Sequence, residues 1–247
     1  MPGLAVLGSR PAGLATPYPL CVTRILVVTA VGPEADAVLA GLGPTASTKV
    51  GPYPGRWAKS GAGEIVALAG GVGPAAAAAC AGTAVALDHP DLVLSAGVAG
   101  GFPGRAAVGD LVVADAVVHA DLGAESASGF RSVADLGLGE VTTRLAEPLV
   151  AVAAARTGAT VGPVLTVSTV TGSAARAAEL ARRHRPVAEA MEGAGVLAAA
   201  LAHGLPFGEL RAVSNPVGRR DRAAWDLPLA FGALGRAFAR LLAEPLW

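Results

Sequence analysis

Two glutamates and one serine–asparagine pair are the residues of this sequence best placed to do chemistry. Glu34 follows the apolar run Arg24–Ala30 across the turn Val31-Gly32-Pro33, and Glu192 enters the otherwise apolar segment AMEGAGVLAAALA. A carboxylate in the first turn of a helix has an ordinary explanation, because it complements the positive end of the helix dipole. It also has a chemical one: partly desolvated at the bottom of a crevice, it serves as a general acid or base. Glu192 is harder to dismiss as a helix cap, since a carboxylate buried among Ala, Val and Leu needs partners. Ser214-Asn215 closes a third apolar run, and Arg219, Arg220, Arg222 and Trp225 follow it. Those arginines beside an aromatic ring suit a flat or anionic group. As an ordinary Asn-Pro turn they would be solvated surface charges.

Other patterns carry less. Gly71-Val72-Gly73-Pro74-Ala75-Ala76 fits G-x-G-x-x-A, but a dinucleotide site also needs an acid closing the next strand about 20 residues on. Asp91 lies at that distance yet opens its strand, so a glycine turn for close packing accounts for the motif better. His89, His119, His184 and His203 show no metal-ligand spacing. Neither a phosphate-binding P-loop nor a G-x-S-x-G elbow is present. No metal and no cofactor is expected.

The elements that must position these residues alternate along the chain. Strands are predicted at 24–30, near 56–58, and at 64–70, 91–95, 110–118, 160–168, 186–190 and 208–214. Helices are predicted at 34–42, 74–87, 144–156, 173–184, 191–203 and 228–242. Gly97–Gly101 reads as a turn and 119–140 as an ordered loop over a cleft. Alternation of this kind predicts a three-layer α/β/α sandwich around a mixed, largely parallel sheet. Ligands of such sheets bind beyond the carboxyl ends of the strands, which is where Glu34, Gly71–Pro74, Gly97–Gly101, Met191-Glu192 and Ser214-Asn215 fall.

Composition bounds the rest. The 247 residues are 53% hydrophobic and 15% charged, which excludes disorder and supports one deep core over 24–247. Lys+Arg and Asp+Glu both number 19, so no global field draws nucleic acid or an anionic membrane. Ile65 to Leu87 carries no charge, but its Gly70, Gly71, Gly73 and Pro74 favour a strand, a turn and a helix over a membrane span. Residues 1–23, with Pro2, Pro11, Pro17 and Pro19 and no basic start, read as a loose tail rather than a targeting signal. Cys21 and Cys80 form no disulfide framework, which fits a reducing cytoplasm.

Taken together, the strand-plus-Glu34 opening, SAGVAGGF (95–102), VGDLVVADAVVHADLGAE (108–125), AMEGAG (190–195) and RAVSNPVGRRD (211–221) resemble one family. That family is the nucleosidase branch of the purine nucleoside phosphorylase superfamily, and within it the futalosine hydrolases of the futalosine route to menaquinone. The resemblance runs from about Arg24 to Leu242.

It implies hydrolysis of an N-ribosidic bond through an oxocarbenium-like transition state, with a small nucleoside as substrate and a homo-oligomer, dimer or higher, as the assembly. By position, Glu34 resembles the carboxylate that activates water. Met191 and Glu192 resemble the ribose-binding pair, and Ser214 and Asn215 the pair that meets the leaving base. Val98 falls among the substrate contacts, and Val170 matches a position whose backbone touches the base. Trp225 aligns with an aromatic residue towards the ribose 5′ side, where Arg219 or a neighbouring arginine would meet a substrate carboxylate. Relatives that release adenine carry Asp where Asn215 stands. An amide can donate to O6 and N7 of a 6-oxopurine, whereas an ionised Asp would face a lone pair at O6. Asn215 therefore points to hypoxanthine. Phosphorolytic relatives place arginine beside the first strand, where this chain has Glu34, so water is the expected nucleophile. The alternatives are an adenine nucleosidase of the same fold and a non-catalytic nucleotide-binding module built on Gly71–Ala76.

Overall fold

The computed structural model describes residues 22–127 and 129–246. The expected N-terminal tail lies, for residues 1–21, outside them. Val22 is buried. Thr23 accepts from Glu64 N at 2.8 Å and donates its own N and Oγ1 to Asp91 at 2.9 Å each, so these two residues belong to the folded body. Asp91 thus anchors the start of the first strand, and its carboxyl is held below the usual range; burial works the other way but is outweighed by the Thr23 and Arg24 donors.

β1 (Arg24–Thr29) leads through Val31 into α1 (Gly32–Leu39), and β2 (Thr45–Val50), β3 (Tyr53–Ser60) and β4 (Gly63–Ala69) follow. α2 (Pro74–Asp88) leads to β5 (Leu92–Gly101) and β6 (Leu111–His119). A two-stranded ribbon, β7 (Gly123–Ala124) with β8 (Arg131–Ser132), stands in the expected loop. Next come β9 (Thr142–Arg144), α3 (Glu147–Thr157), β10 (Thr160–Thr166), α4 (Ala174–His184), β11 (Ala188–Ala190), α5 (Gly193–Ala202), β12 (Phe207–Pro216) and α6 (Leu227–Leu241).

The main sheet runs β11-β10-β6-β12-β5-β1-β4-β3-β2, and β11 turns back to pair with β5. Five strands therefore close on themselves. Pairing is parallel for β1 with β4 and β5, for β5 with β12, and for β10 with β6 and β11. α1, α3 and α6 bury Leu39, Leu149, Leu234 and Phe238 on one face, and α2 and α5 bury Cys80, Ala81, Val196 and Ala200 on the other. That is the three-layer arrangement expected from the alternation.

Some local expectations change. Residues 45–60 form a full hairpin rather than one short strand; TASTKV has little apolar alternation because it is a sheet edge with mostly solvent-facing side chains. Gly97–Gly101 is not a turn but the end of β5, where glycine is needed because neighbours crowd the backbone. The uncharged run 65–87 is β4, a glycine turn and α2, and among the described residues no helix is long and apolar enough to cross a membrane.

Candidate active site

Glu34 sits at the third position of α1, where Oε2 accepts from Ala30 N (2.9 Å) and Val31 N (3.2 Å). So far this is the helix-capping role. Capping does not explain why the residue is only 3% exposed, nor why Oε1 turns inward to accept from Val98 N at 2.8 Å. Burial pushes its carboxyl above the ordinary value, and Glu192 adds to the rise; the Val98 N–H and the charge of Arg211 pull the other way. A carboxylate held by three amides, with its proton affinity raised, is suited to accept a proton from water.

Arg211 is the residue the sequence reading passed over. It lies on β12 four places before Asn215 and is fully buried. Its Nε donates to Glu209 (2.8 Å), Nη1 to Glu192 (3.3 Å) and Nη2 to Ser95 Oγ (2.8 Å). Burial works against its charge, but Glu209, Glu192 and Glu34 together keep it protonated. The available signal was a lone Arg inside an apolar strand, since a charge there requires opposite charges close by. Glu209 is wholly buried, and burial raises its carboxyl despite Arg211. One of its oxygens, Oε2, finds no hydrogen-bond partner among the described residues.

Glu192 caps the start of α5 and is 4% exposed. It accepts from Gly73 N at 3.2 Å and from Met191 N at 3.3 Å, so it ties the Gly71–Pro74 turn to the start of the neighbouring α5. The glycine motif is thereby explained as packing: the Gly73 amide meets a protein carboxylate, and at Gly195 a side chain would collide with the Pro74 carbonyl. Met191 itself is half-buried against the cluster containing Phe102 and Leu165.

Asn215 stands on the same strand as Arg211, about 13 Å along at the usual strand rise. Its Oδ1 accepts from the buried Ser214 hydroxyl (2.8 Å), and Nδ2 donates to Pro216 O (3.1 Å). One N–H is thus committed within the protein and one remains for a ligand, where the sequence suggested two. Asn215, Val170, Arg219 and Trp225 line a single pocket. Val170 is 44% exposed there, on the loop after β10. Arg220, rather than Arg219, lies over the Trp225 ring, 5.7 Å from its centre. Arg219 and Trp225 share this pocket with Asn215, and Glu34 is not among its lining residues.

One short stretch of β5 joins the two halves. Gly97 faces Glu34, Val98 N holds it, Ala99 O is within reach of Ser214 Oγ (3.3 Å), and Gly100 is paired with Asn215. Val98 therefore enters the site through its amide. The arrangement can place a carboxylate and a water at one end of a ligand and a hydrogen-bonding amide at the other.

The chain matches the family model of the phosphorylase superfamily over residues 24–244. It is 56% identical over 224 residues to a futalosine hydrolase of Streptomyces coelicolor, covering 88% of this chain and 94% of that one. It is 46% identical to a futalosine hydrolase of Acidothermus cellulolyticus, covering 87% and 89%. Among solved structures, a Helicobacter pylori futalosine hydrolase mutant superposes with a TM-score of 0.76 at 20% identity, covering 89% of this chain and 98% of that chain. A Neisseria meningitidis 5′-methylthioadenosine/S-adenosylhomocysteine nucleosidase in complex with methylthio-immucillin-A gives 0.77 at 21%, covering 90% and 99%. At those identities the structural matches show the fold.

Proposed function

For a chain that belongs to the phosphorylase superfamily, and within it to the futalosine hydrolases, we propose hydrolysis of the N-ribosidic bond of futalosine, releasing hypoxanthine and dehypoxanthine futalosine. This step belongs to the formation of menaquinone. The observation that carries the reading is how the backbone donors at the strand ends are used. The N–H groups of Ala30, Val31 and Val98 all point to Glu34, and that of Gly73 points to Glu192. Amides that would cradle a phosphate are occupied by carboxylates that would repel it. Water is then the nucleophile.

In this mechanism Glu34 takes a proton from water as it attacks the anomeric carbon. Positive charge grows on the ribose as the bond to the base lengthens. Glu192, held by Arg211 and Gly73, binds the ribose hydroxyls beside Met191, and the cluster's negative excess favours that cation. Asn215, fixed by Ser214, donates its remaining N–H to the departing purine, and Val170 meets the base through its backbone. Trp225 and Arg219 at the pocket rim contact the substrate beyond the purine. The enzyme works as a homo-oligomer in the cytoplasm.

The test is incubation with futalosine in phosphate-free buffer, following hypoxanthine by chromatography. Wild type releases hypoxanthine, and Glu34→Gln does so at least about 10²-fold more slowly. Strict dependence on added phosphate, or a Glu34→Gln rate close to wild type, would overturn the mechanism.

A further inference from the structure

Glu189 is buried and titratable, and the mechanism above gives it no task. It lines the same pocket as Asn215 and Val170, yet it comes from another strand. The sheet register explains how they meet. β11 pairs with β5 so that Glu189 lies opposite Gly100, and β12 pairs with β5 so that Asn215 lies opposite the same glycine. Residues directly opposite one another project to the same face of a sheet. Two strand spacings separate the Glu189 and Asn215 backbones, about 10 Å. Between them Gly100 carries no side chain, and a Cβ there would stand 2.8 Å from Val217 Cγ2 and 3.3 Å from Asn215 Nδ2, so Val217 floors the space that Glu189 and Asn215 flank. Hydrogen bonds of about 3 Å from either side leave about 4 Å between the two partners, the span of a purine edge from N1 to N7 above that floor.

We infer that Glu189 accepts the N1–H of the departing 6-oxopurine, across the pocket from Asn215, and thereby rejects 6-aminopurines. The inference deepens the nucleosidase reading and rests on it for the identity of the base. The side chain has the capacity: Thr171 N donates to Oε1 at 2.8 Å and Thr171 Oγ1 to Oε2 at 2.5 Å, leaving a second lone pair on each oxygen. A 6-oxopurine carries hydrogen on N1, whereas a 6-aminopurine presents a lone pair, which an ionised carboxylate opposes. Since Asn215 has one free N–H, a second reader on the six-membered ring supplies discrimination that Asn215 alone lacks. Burial raises the Glu189 carboxyl, Thr171 and the charge of Arg176 on α4 lower it, and Asp121 after β6 adds to the rise.

A purely structural role makes a different forecast. Asp121 accepts from Ser168 N and Thr169 N, so it and Glu189 together clamp the loop that carries Val170. The experiment is calorimetric binding of hypoxanthine, 1-methylhypoxanthine and adenine to wild type, Glu189→Gln and Thr171→Val, beside futalosine turnover. Glu189→Gln should weaken hypoxanthine about tenfold or more and leave adenine equal or tighter. Thr171→Val should keep the wild-type preference, and wild type should bind 1-methylhypoxanthine about tenfold or more weakly than hypoxanthine. Equal weakening of both purines in Glu189→Gln, or wild-type affinity for 1-methylhypoxanthine, overturns the inference even if Glu189→Gln does not fold. Binding of free bases is separate from catalysis. Preferential hypoxanthine binding through Glu189 without futalosine cleavage would overturn the hydrolase reading alone, and cleavage with an unchanged preference in Glu189→Gln would overturn this inference alone.

Discussion

Gly97→Ala removes no catalytic group and should still disable the enzyme. A Cβ built on Gly97 would stand 2.5 Å from Glu34 Oε1 and 2.9 Å from its carboxyl carbon, with Arg211 Nη1 at 3.1 Å. Restoring ordinary contact moves the Glu34 carboxylate by about 0.9 Å. A shift of that size takes Oε1 out of hydrogen-bond range of Val98 N, now at 2.8 Å, and turns the base away from its water. Misplacing a reacting group by about 1 Å costs roughly 10²-fold, or about 2.7 kcal/mol in the barrier. Gly97 has φ of +151°, so a side chain there also strains the backbone by about 1–3 kcal/mol. The assay is hypoxanthine release from futalosine under saturating substrate, with a urea melt to establish that the variant is folded. Gly82→Ala in α2 is the control: nothing lies within 4 Å of its Cβ, and it should be fully active and more stable by about 0.5–1 kcal/mol. A folded Gly97→Ala protein with kcat close to wild type would show that the position of Glu34 does not limit turnover.

Removing the guanidinium in Arg211→Met leaves Glu209, Glu192 and Glu34 buried without their shared cation and should cost about 3–5 kcal/mol in chemical denaturation. Water activation needs ionised Glu34, whose carboxyl burial has raised, so kcat/KM should fall as pH drops through a value above the usual carboxylate range. Arg211 opposes that rise, and so in any folded Arg211→Met protein the acid limb should move to still higher pH; an unmoved limb would detach Glu34 from the profile. Asn215→Asp should lower hypoxanthine release from futalosine by about tenfold or more and favour 6-amino substrates, measured as a ratio of kcat/KM values. An unchanged ratio would remove Asn215 from base selection.

Much of this was legible in the residues, because the strongest signals were violations of hydrophobic pattern. Glu34, in the first turn of a helix, had the ordinary reading of a carboxylate complementing the helix dipole and took on a chemical role through the family resemblance, whereas Glu192 in AMEGAGVLAAALA stood out as a carboxylate where an apolar side chain belonged. Arg211 gave the same kind of signal, but its neighbours in RAVSNPVGRRD drew the eye to the denser charges at the exposed end. Glu189 was silent for another reason. Three residues before Glu192, it reads as one more acid near a helix start, and only the pairing of β11 with β5 brings it opposite Gly100 and into the pocket lined by Asn215 and Val170. Long-range register of that kind leaves no mark in a local window. The hairpin of β2 with β3 was hidden likewise, since an edge strand with polar faces lacks alternation.

The distribution of charge ties the fold to the reaction. Three buried carboxylates, Glu34, Glu192 and Glu209, surround one guanidinium, so the cluster carries more negative than positive charge when ionised. For the resting protein this is a cost, visible in the raised carboxyls of Glu34 and Glu209 and in the unpaired Glu209 Oε2. Folding alone would be better served by an apolar strand end. A ribose that becomes cationic in the transition state reverses the sign of that cost, because the excess charge is already in place and needs no reorganisation when the bond breaks. An arrangement that destabilises the empty site and stabilises a cation within it suits bond cleavage ahead of nucleophile attachment, which is the order of events that the roles proposed for Glu34, Asn215 and Glu189 require.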